Sequence, residues 1–357
     1  MIGKTSYIRA VILCGFLTLS PPITASPFSE AYSAYQAAIE QQDSAAAVKY
    51  AEQAYLLGKS YFEANSIDVA HLELNWATAL QDNEQNALAY DHFNSVIATY
   101  RQRFGKDAIE LIDPLIGAAD TVELSKETKL LFGQAIDIAE DANKPLLLAE
   151  VQMLAFNKLA STAYYTRDVR DYAIDALEIY QTELPADAMA RLKATFYVGM
   201  VKAAESKTSL AIEYLEEVVK QFAVLDYSHP YKLAAHARLI ELYEKKGDSD
   251  SSTQHCIAIG SMKPWSETQN QTPLFRLPPR YPISYARDGK EGWTQMSFTV
   301  DEQGFVKDPV VIASEGGKLF TKESLKAIKR WRYAPKFVDG QPVAAEATVQ
   351  LEYSLSP

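Results

Sequence analysis

The feature that most constrains this 357-residue chain is a run of paired amphipathic patterns recurring every 35 to 42 residues or so, the period of helical-hairpin arrays. Ala31-Tyr32, Tyr35 and Ala38-Ile39 fall at helical spacing and form one apolar stripe. Ala47-Val48, Ala51 and Ala54-Tyr55 form its partner, closed by Gly58. Further pairs read over 66–80 with 84–104, 107–119 with 125–142, 144–164 with 167–182, 185–205 with 208–224, and 230–246 with 250–261. A helix with one apolar stripe must bury it against a neighbour, and stacked hairpins solve that problem repeatedly. The spacing predicts an all-α helical-hairpin solenoid over 27–262, with the third pair interrupted by Pro114.

Particular residues sharpen this. In Val69-Ala70, Leu74, Trp76-Ala77 and Leu80, small and large apolar residues alternate as packed antiparallel helices require. Ala87, Tyr90, Val96-Ile97, Tyr100 and Phe104-Gly105 follow on the partner, and Ala211-Ile212, Tyr214-Leu215 and Val218-Val219 repeat the theme later. This resembles tetratricopeptide repeats, especially the longer variety ending in Phe-Gly, although most pairs lack a Trp-x-x-Leu-Gly signature. The resemblance implies a concave face able to hold a protein segment. Tyr50, Tyr55, Tyr61, Tyr90, Tyr100, Tyr164 and Tyr165 could line such a face, but tyrosine also packs between helices, and packing is the preferred reading for most.

After residue 262 the period changes. Pro264, Asn270, Thr272 and Pro273 mark a linker over 263–276, and 277–357 then reads as a small α+β module. Pro278-Pro279-Arg280-Tyr281-Pro282 is an extended lead-in. Met296, Phe298 and Val300 alternate with Gln295, Ser297 and Thr299, Asp301 to Gly304 supplies a turn, and 306–313 returns. A helix is expected over 322–332, with Phe320 and Leu325 stapled around a Thr321 cap. Trp293 and Trp331 are expected to seal the core, and the basic residues Lys322, Lys326, Lys329, Arg330 and Arg332 to form a solvated helix face. After an Asp339-Gly340 turn, Ala345, Ala347, Val349, Leu351 and Tyr353 alternate with Glu346, Thr348, Gln350 and Glu352.

The string Tyr281-Pro282, Gly292-Trp293, Phe298-x-Val300, Gly304-x-Val306 and Trp331-Arg332-Tyr333-x-Pro335 resembles the C-terminal domain of TonB-family energy transducers. The resemblance covers about the last eighty residues and implies a three-stranded antiparallel sheet. It further implies that the final strand is an edge to which an outer-membrane receptor's short peptide adds by strand pairing. Glu346, Thr348, Gln350 and Glu352 would then lie on the docking strand, and Tyr281 and Pro282 near the receptor. A homodimer through the same strand is a second use of such an edge.

Charge is uneven. The net charge is −11, yet residues 273–357 hold twelve basic against ten acidic residues, so the acid sits in the helical middle. That argues against nucleic acid as a partner, since neutralising phosphates needs Lys and Arg. Residues 1–25 read as a cleavable signal peptide: Lys4 and Arg9, a short apolar core from Ala10 to Leu19, then Pro21-Pro22 and a small residue at Ala25. The core is shorter than the roughly 20 residues a spanning helix needs. Removal of this segment would leave Cys256 without a disulfide partner, which fits a Gram-negative periplasm.

No constellation for chemistry emerges. His71, His92, His229, His236 and His255 are scattered. His229 and His236 could share a helix face but lack acids at metal-ligand spacing, so no metal is expected. His255 beside Cys256 points elsewhere on a helix, so no thiol–base pair is expected. Neither a catalytic motif nor a cofactor-binding loop is present, and no small-molecule substrate is expected. The sequence reads as a non-enzymatic periplasmic interaction adaptor, an accessory of a TonB-dependent transport system. The alternatives are a cell-envelope scaffold, or an energy transducer that keeps its N-terminal anchor.

Overall fold

The computed structural model describes residues 26–63, 66–223, 229–262 and 273–355. The expected signal peptide, and residues 263–272 of the expected linker, lie outside these. The chain divides into two compact units, Met1–Ile138 and Ala139–Pro357.

The first unit is built from α1 (Pro27–Glu40), α2 (Ser44–Tyr61), α3 (Ile67–Asp82), α4 (Asn86–Phe104), α5 (Ile112–Thr121) and α6 (Lys126–Asp141), within which the division falls. Ser26, Asp43 and Ser66 cap the first three helices, their side-chain oxygens accepting from Ser29, Ala46 and Asp68 N–H groups. On α2 the buried residues Ala47, Ala51, Ala54 and Gly58 form one stripe of small side chains. A Cβ at Gly58 would run into Leu72 of α3, so glycine permits this close approach. Pro114 does not break the third pair. It is buried in the first turn of α5, where backbone N–H groups have no intrahelical partner to lose.

The second unit continues with α7 (Pro145–Leu159), α8 (Arg167–Glu183), α9 (Met189–Ala204), α10 (Thr208–Phe222), α11 (Pro230–Lys246) and α12 (Ser249–Met262). Phe156, Leu159, Ala173, Leu177, Ala194 and Val198 join α7, α8 and α9 in one core. Phe196, Leu215, Val218, Phe222, Ala235 and Leu239 join α9, α10 and α11 in the next. The paired helices expected from apolar periodicity are therefore present to within a few residues.

The C-terminal module comprises β1 (Pro273–Phe275), α13 (Ile283–Arg287), β2 (Gly292–Val300), β3 (Val306–Glu315), α14 (Lys318–Ile328), β4 (Arg332–Tyr333), β5 (Lys336–Val338), β6 (Gln341–Val343) and β7 (Ala345–Tyr353). The three long strands form an antiparallel sheet in the order β3-β2-β7. One face carries Met296, Phe298, Val300, Val306 and Leu351, which pack with Ile328 of α14 and with Trp331 and Tyr333. At the β2–β3 turn Asp301 Oδ1 accepts from the N–H groups of Gln303 (3.0 Å) and Phe305 (2.8 Å). Asp339 and Gly340, both at positive φ, close the β5–β6 hairpin.

Three expectations are corrected. The helix runs over Lys318–Ile328 rather than 322–332, and its cap is Gly317 rather than Thr321. Gly316 and Gly317, both at positive φ and pressed against Glu291 and Tyr285, turn the chain early, so the helix starts and ends early. Arg332 and Tyr333 instead form β4, which pairs with β1 at the end of the expected linker. Arg332 is 1% exposed and no part of a solvated helix face. Trp331 is fully buried, whereas Trp293 lies outside the core and donates its indole N–H to Glu315 at 3.0 Å.

Candidate protein-docking site

Among the described residues, β7 has a strand neighbour on one side only. Its nine residues pair with β2 from Gly292↔Tyr353 to Val300↔Ala345 in unbroken register. Glu346, Thr348, Gln350 and Glu352 are exposed, opposite Thr299, Ser297, Gln295 and Trp293 respectively. Leu351 and Tyr353 are buried, and Ala347 and Val349 pack on the core. A strand paired on one side presents a row of N–H and C=O groups on the other, ready for an added strand.

The opposite edge differs. β3 pairs with β2 through two register shifts, carries Pro309, and has Asp308 at a φ of 47°. Bulges and proline are features that blunt an edge against pairing. β7 contains neither, so β7 is the edge better shaped to accept another strand.

Tyr281 and Pro282 lie in the lead-in to α13 rather than on β7 itself. Tyr281 is half-buried and packs edge-on against Phe320 (5.5 Å between ring centroids) and Tyr353 (5.7 Å). Its hydroxyl donates to the Lys290 carbonyl. Phe320 stacks on Tyr353 at 4.2 Å and meets Tyr285 at 4.9 Å. The Tyr353 hydroxyl donates to the Phe320 carbonyl at 3.0 Å and is 2.8 Å from Ser324 Oγ. Tyr281 thus joins the lead-in to the C-terminal end of β7 through an aromatic cluster. The neighbouring Ile283, at the start of α13, is 88% exposed.

Sequence reasoning missed the surroundings of Arg332. One guanidinium nitrogen donates to Glu244 of α11 and lies 3.3 Å from Ser252 Oγ of α12. The other donates to Thr253 Oγ1 (2.9 Å) and to the Gln303 carbonyl (3.0 Å). The group also stands 3.8 Å above the Phe305 ring. Beside it, Ile240, Cys256 and Ile259 of the helices form one apolar cluster with Phe275 and Ala334 of the module. Burial pushes the Cys256 thiol up to about 11, as expected of a packed rather than reactive cysteine.

Nor does His236 associate with His229. It meets His255 of the next helix, Nδ1 to Nδ1 at 2.8 Å, and His255 Nε2 lies 3.0 Å from Glu216 Oε1. No spacing rule could have paired them, because the two histidines sit on separate helices, nineteen residues apart. No group of three or more His, Cys, Asp or Glu side chains suited to a metal ion occurs among the described residues. No described helix is long and apolar enough to cross a membrane.

Comparison with known proteins agrees with this geometry. Residues 278–355 match the family described as Gram-negative bacterial TonB protein C-terminal. TonB of Vibrio cholerae is 30% identical over 80 residues, which is 22% of this chain and 33% of that protein. TonB of Pseudomonas aeruginosa is 34% identical over 76 residues, 21% of this chain and 22% of that one. The chain therefore spans a third or less of the length of these relatives. Among solved structures, the TonB C-terminal domain of P. aeruginosa matches 26% of this chain and 92% of its own, at 28% identity and a TM-score of 0.23. RapI in its apo form matches 66% of this chain and 65% of its own, at 16% identity and a TM-score of 0.52, a likeness of fold alone. Helical repeats of tetratricopeptide-like fold precede, and residues 278–355 form, a domain of the TonB C-terminal family.

Proposed function

We propose that the protein is a non-enzymatic adaptor in the periplasm of a Gram-negative bacterium, an accessory of a TonB-dependent outer-membrane transport system. The observation that carries this reading is the smooth, one-sided edge of β7 in a domain of this family, set against the bulged edge of β3. A short extended segment of an outer-membrane receptor adds to β7 as a fourth strand. Backbone pairing supplies affinity, and Glu346, Thr348, Gln350 and Glu352 supply selectivity on the exposed face. Tyr281 and Pro282 lie at the receptor-facing end. The helical repeats of 27–262 hold a second envelope protein.

The test is titration of the full, isotope-labelled chain with peptides from the periplasmic N-termini of outer-membrane receptors, following backbone amide shifts. Shifts concentrated on residues 346–354 and weak on β3 are expected. A well-dispersed spectrum that no receptor peptide perturbs would defeat the reading and leave an envelope scaffold as the better one.

A further inference from the structure

Helices α11 and α12 are held together by polar groups on two sides. On one side stand His236, His255 and Glu216 of α10, whose Oε1 also accepts from the Tyr243 hydroxyl at 2.8 Å. On the other side Arg332 bridges Glu244 of α11 and Ser252 and Thr253 of α12. The two sides adjoin in sequence: Tyr243 precedes Glu244, and His255 precedes Cys256.

The histidine pair can accept one proton gracefully but not two. A bond between two ring nitrogens needs one hydrogen and one lone pair. The His255 hydrogen bond helps hold the Glu216 carboxyl below its usual range, so Glu216 only accepts and His255 Nε2 carries a hydrogen. With both rings neutral, His236 Nδ1–H donates to the lone pair of His255 Nδ1. A proton added to the pair is accommodated only while one of the two facing Nδ1 atoms keeps a lone pair. A second proton sets N–H against N–H, each on a cation, across 2.8 Å between two buried rings.

The surrounding charges do not relieve this. Burial first, then the charges of His255 and Lys232, bring His236 down to about 4, with Glu216 opposing. Asp248 lies near Tyr243. From α9 comes Tyr197, hydrogen-bonded to Tyr231. From the C-terminal module, Arg332 is already paired with Glu244, and Arg276 stands over the Trp331 ring.

We propose that the His236–His255 pair is an acid-operated wedge, whose second proton parts α11 from α12 and so loosens the cradle that holds Arg332 and the C-terminal module. The inference is independent of what β7 binds.

Cys256, buried within that joint, reports its opening. The full chain is treated with a dithiodipyridine reagent at pH 7.5 and pH 5, and modification is read at Cys256 by peptide mass spectrometry, normalised to glutathione at each pH. With His236 lowered from 6.5 to about 4, the normalised rate should rise about 30-fold on acidification. His71→Gln, on α3 of the first unit and outside the pair, should behave like the natural chain. His236→Gln, and separately His255→Gln, should abolish most of the rise while far-ultraviolet circular dichroism shows the helices intact. The proposal is overturned if Cys256 is equally protected at both pH values, or if whichever of these glutamine variants folds keeps the full acid response.

Discussion

Replacing Arg332 by Met tests whether the C-terminal module and the last helical hairpin fold as one body. Arg332 is 1% exposed, and the side chain of its partner Glu244 is 12% exposed. Removing the guanidinium leaves that carboxylate without its cation in a site that water scarcely reaches. Breaking a buried pair from one side costs about 3–5 kcal/mol. The contact with the Phe305 ring is lost in the same step and is not added, because neighbouring contributions do not sum. At about 1.4 kcal/mol per factor of ten, amides that exchange only when the joint opens should exchange roughly a hundred to several thousand times faster. The assay is native-state hydrogen exchange of the full chain, read at Met296, Phe298 and Val300 in β2 and at Ile240 and Ile259 in the helices. Both sets should accelerate together. Arg332→Met with Glu244→Leu should recover much of the loss, because a buried pair exchanged for apolar groups of similar volume is often close to neutral. Acceleration below about threefold, or acceleration confined to β2, would refute the reasoning.

Gly304→Ala should destabilise the module by at least about 1–2 kcal/mol, because Gly304 has a φ of 83° and a Cβ there would meet the Tyr333 carbonyl and Cys256; urea denaturation followed by tryptophan fluorescence checks it. Tyr353→Phe removes the hydroxyl that serves Ser324 and the Phe320 carbonyl. It should cost about 1–3 kcal/mol without altering the exposed face of β7, so any remaining folded protein should bind receptor peptide as before.

The helices were legible because a single period carries them. Stripes such as Ala47, Ala51, Ala54 and Gly58 state both which face is buried and how closely the neighbour approaches. Strands β2 and β7 were legible for the same reason at period two. Proline was the ambiguous signal: Pro114 breaks a helix in its interior and suits one in its first turn, and only the burial of its surroundings decides. The start of α14 was misplaced because Phe320-Thr321 offered a plausible cap, whereas Gly316-Gly317 offered a tighter turn against residues far away in sequence.

The site residues were harder to read because their partners lie in other segments. Basic residues at 322, 326, 329, 330 and 332 look alike in one dimension, and a run of charge ordinarily faces water. What separates Arg332 from the others is Glu244, eighty-eight positions earlier, together with Ser252 and Thr253. His236 differs: its spacing to His229 suggested at most a shared helix face, and its partner His255 lies on another helix, out of reach of any spacing rule. Both sites meet at the α11–α12 hairpin. There a side chain of the Trp-Arg-Tyr string is satisfied by the helices together with the Gln303 carbonyl of the module, so the family signature of the module alone understates what holds it in place. A buried guanidinium needs its hydrogen-bond partners built around it, and here α11 and α12 supply three of its side-chain partners. The compact unit that carries β7 therefore includes α11 and α12, upstream of residue 278, where the family match begins.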